Sequence, residues 1–91
     1  MKPNKSETIG MNWFEKKTGI QLEKNGWPDC WGTHPDGRFV AVEIKYNGYL
    51  LTEEQQFIKD LLVKAGIHYI HLCVDKDYEC KIVFDSDKHE I

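Results

Sequence analysis

With 91 residues, 41% of them apolar, and 12 basic against 15 acidic side chains, the chain has room for one small domain and no second. Its longest uninterrupted apolar run, Phe39 to Val42, is too short to span a membrane, and Met1-Lys2-Pro3-Asn4-Lys5 leads into no apolar signal core, so the expected location is cytoplasmic. A net charge of −3 excludes adhesion to nucleic acid by bulk electrostatics alone, though not contact with phosphate through metal ions held on the protein's own carboxylates.

Ser6 can cap a first helix that runs through Glu7, Ile9, Trp13 and Phe14 at roughly helical spacing and closes at Gly19 after Lys16 and Lys17. Ile20 to Glu23 alternates apolar and polar residues and reads as a short strand ended by Asn25-Gly26, while the pattern from Asp29 to Thr33 is weak. His34-Pro35-Asp36-Gly37-Arg38 is a hairpin signal: Pro and Asp occupy the centre of a type I turn, and Gly the left-handed position of a three-residue loop. Phe39 to Lys45 is then the returning strand. With His34 opposite Arg38, paired residue numbers sum to 72, which sets Asp29 directly across from Glu43 and on the same face.

Thr52-Glu53-Glu54-Gln55 reads as a capping box opening a second helix with an expected buried stripe of Phe57, Ile58, Leu61, Leu62 and Ala65, ended by Gly66. Ile67 to Val74 is a further strand, and beyond Asp75-Lys76-Asp77 a short one around Lys81 to Phe84 follows as a hairpin. The order αβββαβ, with a short extra C-terminal strand, predicts an α/β domain: a mixed sheet flanked by helices.

Charge is uneven, with five lysines against three glutamates in residues 1–24 and six acids against three lysines in residues 75–91, so a phosphate backbone should meet the front half. Lys16, Lys17 and Lys24 are the candidate phosphate contacts, although surface lysines are ordinarily just solvated. Cys30, Cys73 and Cys80 cannot all pair and form no CxxC, in keeping with reduced thiols. The four histidines show no zinc-type spacing, and His68 and His71, three apart in a strand, face opposite sides.

The chemistry gathers on the strand 39–45. A period of two puts Phe39, Ala41, Glu43 and Lys45 on one face and Val40, Val42 and Ile44 on the other. With Asp29 from the partner strand, two carboxylates and an ammonium come within reach of one another. Two oxygen ligands on neighbouring strands suit a hard cation such as Mg²⁺, which fills its octahedron with water and phosphate oxygens. Such an ion polarises a phosphodiester and activates a water, and Lys45 can position that water or neutralise the transition state.

Gly26-Trp27-Pro28-Asp29, then fourteen residues to Glu43-Ile44-Lys45, then Leu51-Thr52-Glu53-Glu54-Gln55 opening an amphipathic helix, resembles the virus-type replication-repair nuclease (VRR-NUC) domain of the PD-(D/E)xK nuclease superfamily. The resemblance runs from about Ser6 to Val74. It implies a restriction-endonuclease-like fold, Asp29 and Glu43 as ligands of Mg²⁺ or Mn²⁺, Lys45 as the catalytic lysine and Gln55 as support from the helix start. A helix-one glutamate completes the family's metal site, with Glu7 the counterpart by position and Glu15 an alternative on the same helix. Family members of this size, mostly from phages and bacteria, imply a homodimer acting on branched DNA such as four-way junctions.

The same residues have plainer readings. Glu43 and Lys45 fit an ion pair on a half-exposed strand. Gln55 sits where a capping box wants it, and Glu7 where a helix dipole does. Pro35-Asp36 repeats the Pro-Asp pair in a turn, which removes Asp36 from the site. Trp13, Phe14, Trp27 and Trp31 fit a core or dimer surface better than base stacking, and Cys30, opposite in phase to Asp29, fits a buried apolar position. Asn47-Gly48 marks a turn after the catalytic strand. The remaining alternatives are a flap, nick or restriction-like nuclease of the same chemistry, and a nucleic-acid-binding module without turnover.

Overall fold

The computed structural model describes residues 4–24, 28–48 and 50–89. In chain order the elements are α1 (Lys5–Thr18), β1 (Leu22–Lys24), β2 (Cys30–Thr33), β3 (Phe39–Tyr46), α2 (Glu53–Lys64), β4 (His68–Val74), β5 (Cys80–Asp85) and a terminal 3₁₀ turn, Ser86–His89. The strands form one mixed sheet in sequential order, antiparallel except for β3 and β4, which run parallel because α2 carries the chain across between them. This is the α/β arrangement expected from the element order. Among the described residues, no helix is long and apolar enough to cross a membrane.

Helix α1 starts two residues before the expected Ser6, at an Asn4 cap. The Asn4 Oδ1 accepts from the Glu7 N–H at 2.8 Å and the Glu7 Oε1 accepts from the Asn4 N–H at 3.0 Å. A cap at Ser6 would put Ile9 at the third helical position, which offers no such return bond. Asn4 places Glu7 there and satisfies two orphan amides at once. At the other end Thr18 Oγ1 accepts from the Ile20 N–H, so Ile20 still belongs to the helix exit and β1 begins at Leu22 rather than Ile20. Gly10 lies where α1 crosses the sheet, and a Cβ there would meet Ile44 at 3.0 Å and Leu72 at 3.2 Å.

The β2–β3 hairpin adopts the expected register, with Thr33 opposite Phe39 and Cys30 opposite Val42. Gly37 takes φ 95°, and Asp36 Oδ1 accepts from the Arg38 N–H at 3.1 Å, so this Asp serves the turn. Asn47 and Gly48 likewise turn with positive φ, and Gly26 and Trp27 lie outside the described residues.

The two faces of the sheet differ in chemistry. On the α1 face Phe14, Ile20, Leu22, Cys30, Val40, Val42, Ile44, Ile70, Leu72 and Val74 make the apolar core. Cys30 is fully buried, as expected, and its thiol is pushed up to about 12 by burial and then by the charge of Asp29. The opposite face carries Ala41, Glu43 and Lys45 beside Tyr69, His71 and Cys73. Because that face is largely polar, α2 has little apolar surface to bury against and the expected stripe is not buried. Ile58 and Leu62 are half-buried, whereas Phe57 is 60% and Leu61 48% exposed, and Ala65 is exposed too. Of the expected core aromatics Phe14 is buried, while Trp13 and Trp31 are half-buried, Trp31 meeting Phe39 edge-on at 6.0 Å.

Candidate metal site on the sheet

Asp29 lies at the bend just before β2, one position beyond the Cys30–Val42 pair, and so faces Glu43 across the hairpin. The Asp29 and Glu43 carboxyl groups lie close enough to shift each other's ionisation in opposite directions. Asp29 Oδ2 also accepts from the Ile44 N–H at 2.8 Å, and its Oδ1 accepts from Lys24 Nζ at 3.3 Å. Lys24 Nζ bonds Glu7 Oε2 at 2.5 Å, so a line of charge runs Glu7, Lys24, Asp29, Glu43 from the first turn of α1 to the middle of β3.

Burial sets opposite fates for the two central carboxyls. Glu43 is 3% exposed, and burial first, then the Asp29 carboxylate, push it up to about 8 despite the opposing charges of Lys45 and Lys24. At Asp29 burial also opposes ionisation, but the neighbouring Glu43 carboxyl, the bond from the Ile44 amide and the charge of Lys24 outweigh it, and its carboxyl lies below the ordinary range. One proton thus stays between two acids that cannot both ionise comfortably at short range. Lys24, buried yet bonded to Glu7 and near Asp29, is raised above its usual value by those acids.

Gln55 reaches the same place from α2. Its Oε1 accepts from the Thr52 N–H at 3.0 Å, completing the capping box, and its Nε2 points at Glu43 Oε2 at 3.5 Å. The cap and the site share one side chain. Lys45, one alternation beyond Glu43, is half-buried on the same face and forms no ion pair among the described residues.

The structure therefore brings together Glu7, Lys24, Asp29, Glu43, Lys45 and Gln55. It separates Glu7 from Glu15, whose Oε2 instead accepts from the Leu22 N–H at 2.7 Å and pins β1 to the helix. Lys24, expected as a surface phosphate contact, has a side chain only 9% exposed and serves as an internal counter-ion to the acids. Lys16 and Lys17 lie at the far end of α1, about 15 Å from Glu7 along the axis, with Lys17 over the Trp13 ring.

Two neighbours escape a reading of the sequence alone. Among the described residues, Tyr69 Oη and His71 Nε2 are buried with no hydrogen-bond partner. His71 pairs with Glu43 in the parallel register, and burial, then the charges of Lys59 and Lys45, hold its imidazole below its ordinary value. Burial and the Glu43 and Asp29 charges push the Tyr69 phenol up. Alternation along Ile67–Val74 puts both on one face, but only the pairing of β4 with β3 reveals that it is the face of Glu43.

The donor set suits a hard divalent cation. Two neighbouring carboxyls resist ionising together, their oxygens are the ligands such an ion prefers, and a dication between them would relieve their repulsion.

No protein-family model matches the chain, and no curated protein matches it. Among solved structures, the chain is similar to Hjc from Archaeoglobus fulgidus, a Holliday junction resolvase from an archaeal hyperthermophile, with a TM-score of 0.61 over 92% of this chain and 75% of that one. At 14% identity the likeness is one of fold: a restriction-endonuclease-like mixed sheet with two helices.

Proposed function

We propose that this chain is a metal-dependent, structure-selective DNA endonuclease of VRR-NUC type, cutting branched DNA such as four-way junctions as a homodimer. The observation that carries the reading is the convergence of the Asp29 and Glu43 carboxyls beside Lys45 on one face of a sheet with a resolvase-like fold. Asp29, at the bend before β2, and Glu43, on β3, would hold Mg²⁺ or Mn²⁺, and Glu7 stands at the outer edge of the set. Such an ion supplies Lewis acidity and an activated water when bound.

The chain's own groups do the rest. The Ile44 amide fixes one Asp29 oxygen, and the other accepts from Lys24, which an incoming ion would displace. Gln55 holds the Glu43 carboxyl from the helix start. Lys45, with no carboxylate partner of its own among the described residues, offers its ammonium to the attacked phosphate and the incoming water. Neutral His71 and Tyr69 line the floor without adding charge that would compete for the phosphate.

Dimerisation fits the exposed apolar residues of α2, Phe57 and Leu61, and a two-fold axis relates two active sites to two strands of like polarity. The deciding experiment incubates the protein with a four-way junction, a flap and a linear duplex, each with Mg²⁺, Mn²⁺ or EDTA. Metal-dependent paired nicks in the junction are expected. Cutting of flap or duplex in preference to the junction changes the substrate, and binding without cutting in every condition removes the enzyme.

A further inference from the structure

A second cluster of ligating side chains lies on the other face of the sheet. His34 closes the β2–β3 hairpin and His68 opens β4, and the parallel pairing of Val40 with His68 brings the two together on the α1 side. Their rings lie edge to edge and nearly coplanar, with centroids 5.0 Å apart, planes 14° apart and His34 Nε2 2.7 Å from His68 Nδ1. Asp87, on the terminal 3₁₀ turn, brings Oδ2 to 3.5 Å from the same Nδ1. One ligand atom from each of the three residues lies within 4.8 Å of the other two.

We propose that His34 Nε2, His68 Nδ1 and the Asp87 carboxylate form a site for a divalent transition metal of the Zn²⁺ class, with Asp85 as the outer carboxylate that orients His68. Asp85 Oδ1 lies 2.8 Å from His68 Nε2. A carboxylate accepting there keeps the proton on Nε2 and leaves the Nδ1 lone pair directed at the shared point, the arrangement in which histidine ligands to zinc are commonly held. His68 is 8% exposed, so the ring has little freedom to turn away. Asp87 is held in turn by Arg38, whose NH1 and NH2 contact Oδ1 and Oδ2 at 3.3 and 3.1 Å.

The donor set decides the ion. Two imidazole nitrogens and one carboxylate oxygen suit Zn²⁺ or Co²⁺ and disfavour Mg²⁺, so this site and the carboxylate pair select different metals. Tetrahedral ligation at about 2.0 to 2.1 Å separates two nitrogens by roughly 3.3 Å. The pair at 2.7 Å has to open by about 0.6 Å, and each ring has to tilt so that its lone pair meets the ion rather than the other ring, to admit an ion in place of the shared hydrogen. A cavity of about 410 Å³ bordered by Phe14, Thr18, Ile20, His34, His68 and Asp85 leaves room for water in a fourth position. Asp85 and Asp87 against Arg38 leave one excess negative charge, which offsets half the charge of a dication, and Lys17 and Lys88 border the same cavity.

Bound metal would tie three points far apart in sequence, the hairpin, the start of β4 and the C-terminal turn. Closing such long loops stabilises a small domain whose core is limited.

The test uses the full chain stripped with chelator and then held in excess Mg²⁺, so that the carboxylate pair is saturated. Co²⁺ is titrated and followed by visible d–d absorption, then displaced by Zn²⁺ in a calorimeter. One equivalent with a tetrahedral-type spectrum is expected, weakened at least about tenfold in both His34→Gln and Asp87→Asn, and unchanged in Asp29→Asn. At about a hundredfold excess over Kd, Zn²⁺ should raise the thermal midpoint by at least about 10 °C in the parent and not in His34→Gln. His68 is buried and its loss can unfold the chain, so the substitutions are made at His34 and Asp87, the two more accessible ligands. Absence of binding, equal affinity in His34→Gln, or binding lost in Asp29→Asn overturns the site; the first of these leaves two imidazoles that merely share a proton. None of these outcomes depends on whether the chain cleaves DNA.

Discussion

Gln55 and Glu43 are joined through the two ends of one amide: Gln55 Oε1 closes the capping box on Thr52, and Gln55 Nε2 is thereby turned toward Glu43 Oε2 at 3.5 Å. A helix cap that fixes the amide's orientation also fixes a donor beside a buried acid. The structural and functional readings of Gln55 are therefore compatible. Gln55→Glu separates them, because glutamate serves equally at this capping position but offers no donor and adds a third carboxylate. Denaturation should show helix stability nearly intact while cleavage falls at least about tenfold, a loss of about 1.4 kcal/mol of transition-state stabilisation. Gln55→Ala should lose both activity and about 1 kcal/mol of stability. Full activity in Gln55→Glu would confine the residue to the cap.

Glu43 makes the metal-free protein sensitive to pH. Its folded carboxyl is pushed from an ordinary 4.5 to about 8 by burial and the neighbouring Asp29. Between those values the folded state binds a proton that the unfolded state does not. Its stabilising contribution is thus complete below about 4.5 and lost as pH rises through about 8. Urea midpoints in EDTA should fall across this window, and the fall should be shallower in Glu43→Gln, a comparison that cancels the histidines. A divalent ion competes with the same proton, so Mg²⁺ should stabilise more at the alkaline end than at the acid end. Equal pH slopes for parent and Glu43→Gln would show that the proton resides elsewhere.

The carboxylate pair is legible in the sequence because it rests on local rules. A Pro-Asp-Gly turn fixes a register, register fixes which side chains face each other, and Asp29 then has to meet Glu43. Elements bounded by strong caps, such as α2 after Thr52, are readable for the same reason. What stays hidden depends on contacts between distant segments. Lys24 looks like any surface lysine until β1 is laid beside β2 and Glu7 arrives from α1. His71 and Tyr69 acquire meaning only through the parallel pairing of β3 with β4, and His34, His68 and Asp87 come from three elements with no spacing rule among them. The α2 stripe departs from expectation because a helical period marks an apolar face without saying whether the sheet beneath it is apolar as well.

Lys24 competes with any cation for the acids it bridges. Its ammonium lies 2.5 Å from Glu7 and 3.3 Å from Asp29 with a side chain only 9% exposed. Lys24→Met keeps the buried stem and removes the charge, leaving two acids partly uncompensated. The metal-free variant should be less stable than the parent by about 3 kcal/mol, and its Mg²⁺ affinity should rise about tenfold, recovering part of that loss. Calorimetric titration beside urea denaturation checks both. Weaker Mg²⁺ binding in the variant would mean that the lysine organises the ligands rather than rivalling the ion.

The glutamates of α1 should part company. Glu7→Gln preserves the capping box, since glutamine accepts from the Asn4 amide as well, but withdraws a negative charge from the Lys24 cluster. Metal affinity should drop by about fivefold to tenfold, or roughly 1 to 1.4 kcal/mol. Glu15→Gln still accepts from the Leu22 amide and should leave metal affinity unchanged. Lys45→Ala should abolish cleavage while leaving the fold and most DNA binding intact. The reverse pattern for the two glutamates would transfer the ligand to Glu15, and undiminished turnover would take Lys45 out of the chemistry.

Phe57 and Leu61 stand one helical turn apart on the outer side of α2, 60% and 48% exposed, with Leu50 84% exposed nearby in sequence. Leaving such side chains in water forgoes about 1.5 to 3 kcal/mol each relative to burial. In a domain with a small core that is a large sacrifice unless another surface covers them. The opposite face of the sheet already has its own helix, which leaves a second copy of α2 as the simplest cover, and a two-fold axis through this row lets each Phe57 pack on its partner's Leu61. A stable pairing needs about 800 Å² per partner, more than these residues supply alone, so the contact must extend beyond α2. Light scattering should give twice the 10.7 kDa chain mass at micromolar concentration. Phe57→Glu combined with Leu61→Lys should return the single-chain mass with the far-UV spectrum unchanged, and should abolish paired cutting of a junction while sparing single nicks. A parent that is monomeric at every concentration would end the dimer proposal and with it symmetric resolution, leaving the carboxylate chemistry untouched.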